Sequence, residues 1–132
     1  MHEENKYNIS LNHQQLRVIE RALDLYSRVG IGQFEIVAEA IFCLLTDRMK
    51  DKNNWEITQK FLDSMKVCLG FPVNGSLGIT CEEVSDDAKI AYDMEKVIQK
   101  KIATVEDHEQ YSVWHRGSMH LGSQQDIEIK DI

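Results

Sequence analysis

The sequence predicts an α+β domain that is mainly helical, with about four helices and a small C-terminal antiparallel β-ribbon. Three observations carry that reading. Apolar residues recur at three- and four-residue spacing over four stretches. Cap residues stand at the heads of three of them. Near the C-terminus the pattern changes to alternation. The length of 132 residues suits one domain. Residues 1–10 read as a polar lead-in and residues 11–132 as a single globular domain.

The first helix starts at Asn12, which can cap it. Gln15 completes a capping box, and Leu11 with Leu16 forms a hydrophobic staple. Leu16, Ile19, Leu23 and Tyr26 follow at helical spacing, and Gly30 is the expected stop. A second helix spans about 32–45, with Phe34, Val37, Ala38, Ile41 and Leu45 facing the core. Asp47 to Asn54 reads as a charged loop. Asn53 or Asn54 then caps a third helix, Trp55 to Leu69, expected to bury Phe61, Leu62, Met65 and Leu69. Gly70 and Pro72 end it. A loop over 71–84 has no clear period. Ser85 caps the fourth helix, whose stripe is Ile90, Ala91, Met94, Val97, Ile98 and Ile102. Asp86 and Asp87 at its head and Lys96, Lys100 and Lys101 toward its end suit the helix dipole. Tyr111–His115 alternates like a strand, and Ile127–Ile129 is its expected partner.

Composition excludes more than it assigns. The formal net charge is −7, with 15 Lys+Arg against 22 Asp+Glu. Such a chain is a poor binder of nucleic-acid polymers, because phosphate neutralisation needs clustered cations. No apolar run reaches the ~20 residues that span a bilayer, and no apolar leader follows the acidic start, Met1 to Lys6. Three widely spaced cysteines make neither a disulfide framework nor a zinc pattern. Cys43 and Cys68 are expected to be buried thiols. The expected location is the cytosol.

Two segments are candidate ligand sites. The first is the turn between the first two helices, from Tyr26 to Phe34. Gly30 and Gly32 allow a close backbone approach, the next helix offers free N–H groups, and Arg28 adds charge-assisted bonds. Since Gly30-x-Gly32 follows a helix, it is neither a dinucleotide fingerprint nor a P-loop. A plain tight αα turn needing positive φ is the competing reading. The second is Trp114 to Ser123, which repeats His-x-Gly-Ser. Its imidazoles, hydroxyls and Arg116 can surround a phosphate while Trp114 stacks on a ring. A simple loop with turn-forming Gly and Ser is the competing reading.

Catalytic signatures are sparse. Glu35 and Glu39, four residues apart, miss the three-residue offset of helical pyrophosphohydrolases, and Glu83-x-x-Asp86 falls at a helix boundary. Asp24 and Asp93 can add carboxylates, yet a solvated acidic face explains most of these groups. No nucleophile elbow or HExxH is present. No cofactor and no metal site is expected. Cys81 stands beside Glu82 and Glu83, which disfavour a thiolate.

The segments Ala22–Phe34, Ala91-Tyr92-Asp93-Met94 and Ser112-Val113-Trp114-His115 together resemble small uncharacterised accessory proteins encoded by phages and prophages, over most of the chain from about residue 10. The resemblance implies an anti-defence role. One recurring class there is a non-enzymatic sponge for a nucleotide-derived immune signal, such as a cyclic oligonucleotide or an ADP-ribose derivative of a CBASS or Thoeris pathway.

The expected function is therefore sequestration of a small phosphorylated nucleotide-like ligand. Arg28, Arg116 and His115 would supply positive groups, and the amides after Gly30 and Gly32 a phosphate cradle. Tyr26, Tyr92 or Trp114 would stack, Gln33 would read a polar edge, and Asp93 would accept from a ribose hydroxyl. A homo-oligomer sharing its pocket suits so small a chain. The alternatives are an acidic protein-interaction module that inhibits a host protein and, third, a metal-dependent nucleotide hydrolase.

Overall fold

The computed structural model describes residues 5–51, 54–72, 74–106 and 117–132. These residues form five helices: α1 (His13–Ile31), α2 (Phe34–Leu44), α3 (Asp47–Lys50), α4 (Trp55–Cys68) and α5 (Asp86–Val105). Helix α1 packs along α5 and touches α2, and α2 packs on α4.

The caps follow the sequence closely. Asn12 Oδ1 accepts from the Gln15 amide at 2.8 Å, and Gln15 Oε1 accepts from the Asn12 amide at 3.0 Å. Asn54 caps α4 through the Ile57 amide at 3.2 Å. Ser85 caps α5 through the Ala88 amide at 3.2 Å. Short polar side chains at these positions satisfy amides that the first turn leaves without partners.

The expected α+β class is overturned. No strand occurs among the described residues, and Ile127–Ile129 lies in the C-terminal segment without a β-ladder. Its expected partner, Tyr111–His115, lies outside the described residues. The physical reason is visible in where the tail's polar groups go. The Gly122 amide donates to Asp93 Oδ2 at 2.7 Å, and the Ser123 amide donates to Asp86 Oδ1 at 2.8 Å. These bonds dock the connection between the two expected strands onto α5, and Ile127–Ile129 has no ladder partner among the described residues. The two bonds from Ser123 hold the Asp86 carboxyl below its ordinary value.

Two boundaries also move. Helix α1 runs through Gly30 and ends at Ile31, with Gly32 as its left-handed C-cap (φ 82°). Gly30 is needed for space instead: a Cβ there would stand 2.4 Å from Ala88 Cβ of α5. Part of the expected charged loop is the single-turn helix α3, which Thr46 caps through the Met49 amide.

The core is built from small residues. Ala88, Ala91, Ile98 and Ala103 of α5 are buried, with Phe34 and Ala38 of α2 and Val84 just before α5. The rings of Phe34 and Phe71 meet edge to face at 5.7 Å, and those of Phe42 and Trp55 at 5.1 Å. Cys43 and Cys68 are exposed, contrary to expectation. Both lie on helices whose outer faces nothing in the described chain covers.

Candidate functional site

Helices α1 and α5 together with the loop after Phe71 line an open cavity of about 380 Å³. Arg28, Gln33 and Tyr92 line it, as do Asp24, Ser27, Ser76, Gly78 and Lys96. The loop is tied to the end of α1 by the Leu77 amide, which donates to the Ile31 carbonyl at 2.9 Å. That bond carries Ser76 and Gly78 to the rim. Contact over the small Ala88 and Gly30 brings the last turns of α1 close to the face of α5 that bears Tyr92 and Lys96.

Arg28 is oriented from two sides. Its Nε donates to both Asp24 carboxylate oxygens, at 3.0 and 3.1 Å. Its Nη1 donates to Gln33 Oε1 at 2.5 Å. Across the cavity, Lys96 Nζ stands 5.1 Å from the centre of the Tyr92 ring, in cation–π contact. It also lies 3.3 Å from Glu95 Oε2 and 3.5 Å from Gln99 Oε1. Ser27 donates its hydroxyl to the Asp24 carbonyl at 2.8 Å. The chamber therefore presents a guanidinium paired with the Asp24 carboxylate, an ammonium paired with Glu95, a ring, an amide and hydroxyls.

A carboxyl pair between α1 and α5 adjoins this chamber through Glu95. Burial raises Glu20 from its ordinary 4.5 to about 8, helped by a hydrogen bond to Glu95 and repulsion from Glu95 and Asp24, with Arg21 opposing. Near neutral pH the Glu20 carboxyl holds a proton and bonds the buried Glu95.

The other candidate residues are placed differently. Tyr26 is exposed and does not line the cavity. The Gly32 amide donates to Val29 and Arg28 carbonyls, and the Gln33 amide to the Arg28 carbonyl at 3.0 Å. Those two amides close the end of α1 and are not available to an anion. Asp93 is buried and holds the tail through Gly122; its Oδ1 has no hydrogen-bond partner in the described structure.

Trp114, His115 and Arg116 lie outside the described residues. The second His-x-Gly-Ser copy docks on α5, and the Tyr92 hydroxyl contacts Met119 Sδ at 3.6 Å. Ser118 and His120 both bond Asp126, at 2.7 and 3.0 Å. The Ser118 hydroxyl thus donates to the carboxylate and not to an imidazole base, which is not a nucleophile–base arrangement.

Sequence reasoning missed Lys96 and Ser76 and gave Asp24 only a metal role. Two of these had a signal. Asp24 stands four residues before Arg28, and Lys96 four after Tyr92, so each pair shares a helix face. Ser76 had none, since its loop lacks a period. Among the described residues no three His, Cys, Asp or Glu side chains converge as a metal site. No described helix is long and apolar enough to cross a membrane. Comparison with protein-family models, with curated proteins and with solved structures finds no match to this chain.

Proposed function

We propose that this protein binds and sequesters a small phosphorylated, nucleotide-like molecule in the Arg28–Lys96 cavity, without turning it over. The observation that carries this is the convergence of two cations, one aromatic ring and several neutral donors in one chamber. Arg28 is already held in place by Asp24 and Gln33, which lowers the ordering cost of gripping a phosphate. Tyr92 offers a ring face, and Gln33, whose Oε1 accepts from Arg28, offers the donors of its amide nitrogen. A chain of net charge −7 repels polyanions at long range. Its two cavity cations suit a small ligand with one or two phosphates, not a nucleic-acid polymer. The role is that of a cytosolic sponge for a nucleotide-derived immune signal, in a phage anti-defence setting.

The test is capture and release. The purified protein is incubated with cyclic dinucleotides, cyclic trinucleotides and ADP-ribose derivatives, separated from them, then heat-denatured. Release of one intact compound is the expected result. Release of an altered product would make the protein an enzyme. Retention of none of these compounds would leave the cavity without the ligand class assigned to it.

A further inference from the structure

The Lys96 ammonium serves two environments at once. It lines the chamber, and it stands 3.3 Å from Oε2 of Glu95, a residue of 2% exposure. A buried carboxylate needs a cation, hydrogen bonds or a proton. Glu95 draws on Lys96 of its own helix and on the Glu20 carboxyl of α1. The other charges near the pair lie on α1. Arg21 favours ionised Glu20, and Asp24 opposes it. Asp24 is itself bonded to Arg28. Arg17, one turn before Glu20, bonds Glu106 at the C-terminal end of α5.

A phosphate that draws on the Lys96 ammonium leaves Glu95 with less positive charge beside it. The phosphate's own charge also makes it costlier to ionise both carboxyls. Both effects have one sign: they favour the state in which Glu20 and Glu95 share a proton. We infer that the chamber takes up its ligand together with a proton, held between Glu20 and Glu95 while a phosphate occupies Lys96. The inference rests on the phosphate-binding function proposed above. Glu20 and Glu95 are not among the lining residues and act through Lys96, as positioning residues.

The direction with pH follows. Glu20 keeps its proton up to about pH 8, so below that pH the proton is already in place and affinity stays level. Above it the free protein has released the proton, and binding must restore it. Each further pH unit then weakens binding by up to about tenfold. The described lining residues include no histidine or cysteine, the side chains that ordinarily titrate near neutral pH.

ADP-ribose and cyclic di-AMP are the probes, because their diester phosphates keep a constant charge across this range. Titration calorimetry at pH 7, 8 and 9, in two buffers of different ionisation heat, reads both affinity and protons. For a probe that binds, affinity should fall about tenfold from pH 7 to pH 9, with uptake of most of one proton at pH 9. Glu20→Gln mimics the protonated carboxyl. It should match the wild type at pH 7 and hold that affinity at pH 9 without proton uptake. Should Glu20→Gln fail to fold, the wild-type proton count at pH 9 decides alone. Level wild-type affinity with no proton uptake would overturn the inference and leave the ligand reading standing. So would a pH dependence that Glu20→Gln retains. Binding of neither probe would overturn the ligand reading, and the inference with it.

Discussion

The two halves of the molecule obey different packing rules. Where α1 meets α5, small residues allow close approach, and no residue of α5 from Ala88 to Gln99 is exposed. This half holds the cavity and clamps the C-terminal tail. Where α2 meets α4, aromatic pairs make the contact and the apolar stripe of α4 stays bare. The contrast teaches that apolar periodicity reports a face to be covered, not which chain covers it. In α5 the chain covers its own stripe. In α4 nothing in the described chain covers the stripe of Phe61, Met65 and Leu69.

The contrast breaks most sharply at Gly30. Gly30→Val puts side-chain atoms where Ala88 Cβ already stands, 2.4 Å from the added Cβ. The α1–α5 half should lose about 3 kcal/mol, and the melting temperature should fall by about 10 °C. Calorimetry checks this against Gly75→Ala, where nothing lies within 4 Å of the new Cβ and the change should stay within about 0.5 kcal/mol.

A smaller effect is expected at the tail clamp. Asp93→Ala removes the acceptor for the Gly122 amide. The loss should be about 2 kcal/mol. Hydrogen exchange at Gly122 should accelerate, while amides in α4 keep their rates relative to global unfolding. Acceleration spread evenly over both halves would erase the contrast.

The finest test is pH. Glu20 keeps its proton in the folded state up to about pH 8, whereas the unfolded chain releases it near 4.5. The folded state binds more protons across that window, so this group's contribution to stability falls as pH rises from 4.5 to 8. Glu20→Gln should flatten that decline. Its melting temperature should exceed the wild type's at pH 8 and match it near pH 5. Identical pH profiles would show that the α1–α5 interface does not hold the proton.

Much of the helical frame was legible because caps are local chemistry. Asn12, Asn54 and Ser85 each signal a helix start within a few residues of sequence. The C-terminal ribbon was misread because alternation in Ile127–Ile129 specifies a face and not a hydrogen-bond partner. The tail is held instead at Gly122 and Ser123, by Asp93 and Asp86 of α5, 29 and 37 residues upstream. The burial of Cys43 and Cys68 was misjudged for the reason that governs α4: apolar neighbours in sequence do not guarantee cover within one chain. At the site, Arg28 and Gln33 were legible from their polar character beside a turn, and Tyr92 from the segment Ala91-Tyr92-Asp93-Met94 of the fourth helix. Their meeting with Lys96 and Ser76 was not, since it depends on the Leu77–Ile31 bond and on the small residues between α1 and α5.

The central claim is that the Arg28–Lys96 chamber holds the ligand. Equilibrium dialysis of the compound retained in the capture experiment tests it directly, against wild type, Arg28→Ala and Lys96→Ala. Each substitution should weaken binding by roughly tenfold or more, as loss of a charge-assisted phosphate contact does. The ligand-free melting temperature of Arg28→Ala should stay close to wild type, because its ion pair with Asp24 is open to solvent, whereas Lys96→Ala should lower it, because the buried Glu95 loses its cation. Equal affinity in all three proteins would contradict the account.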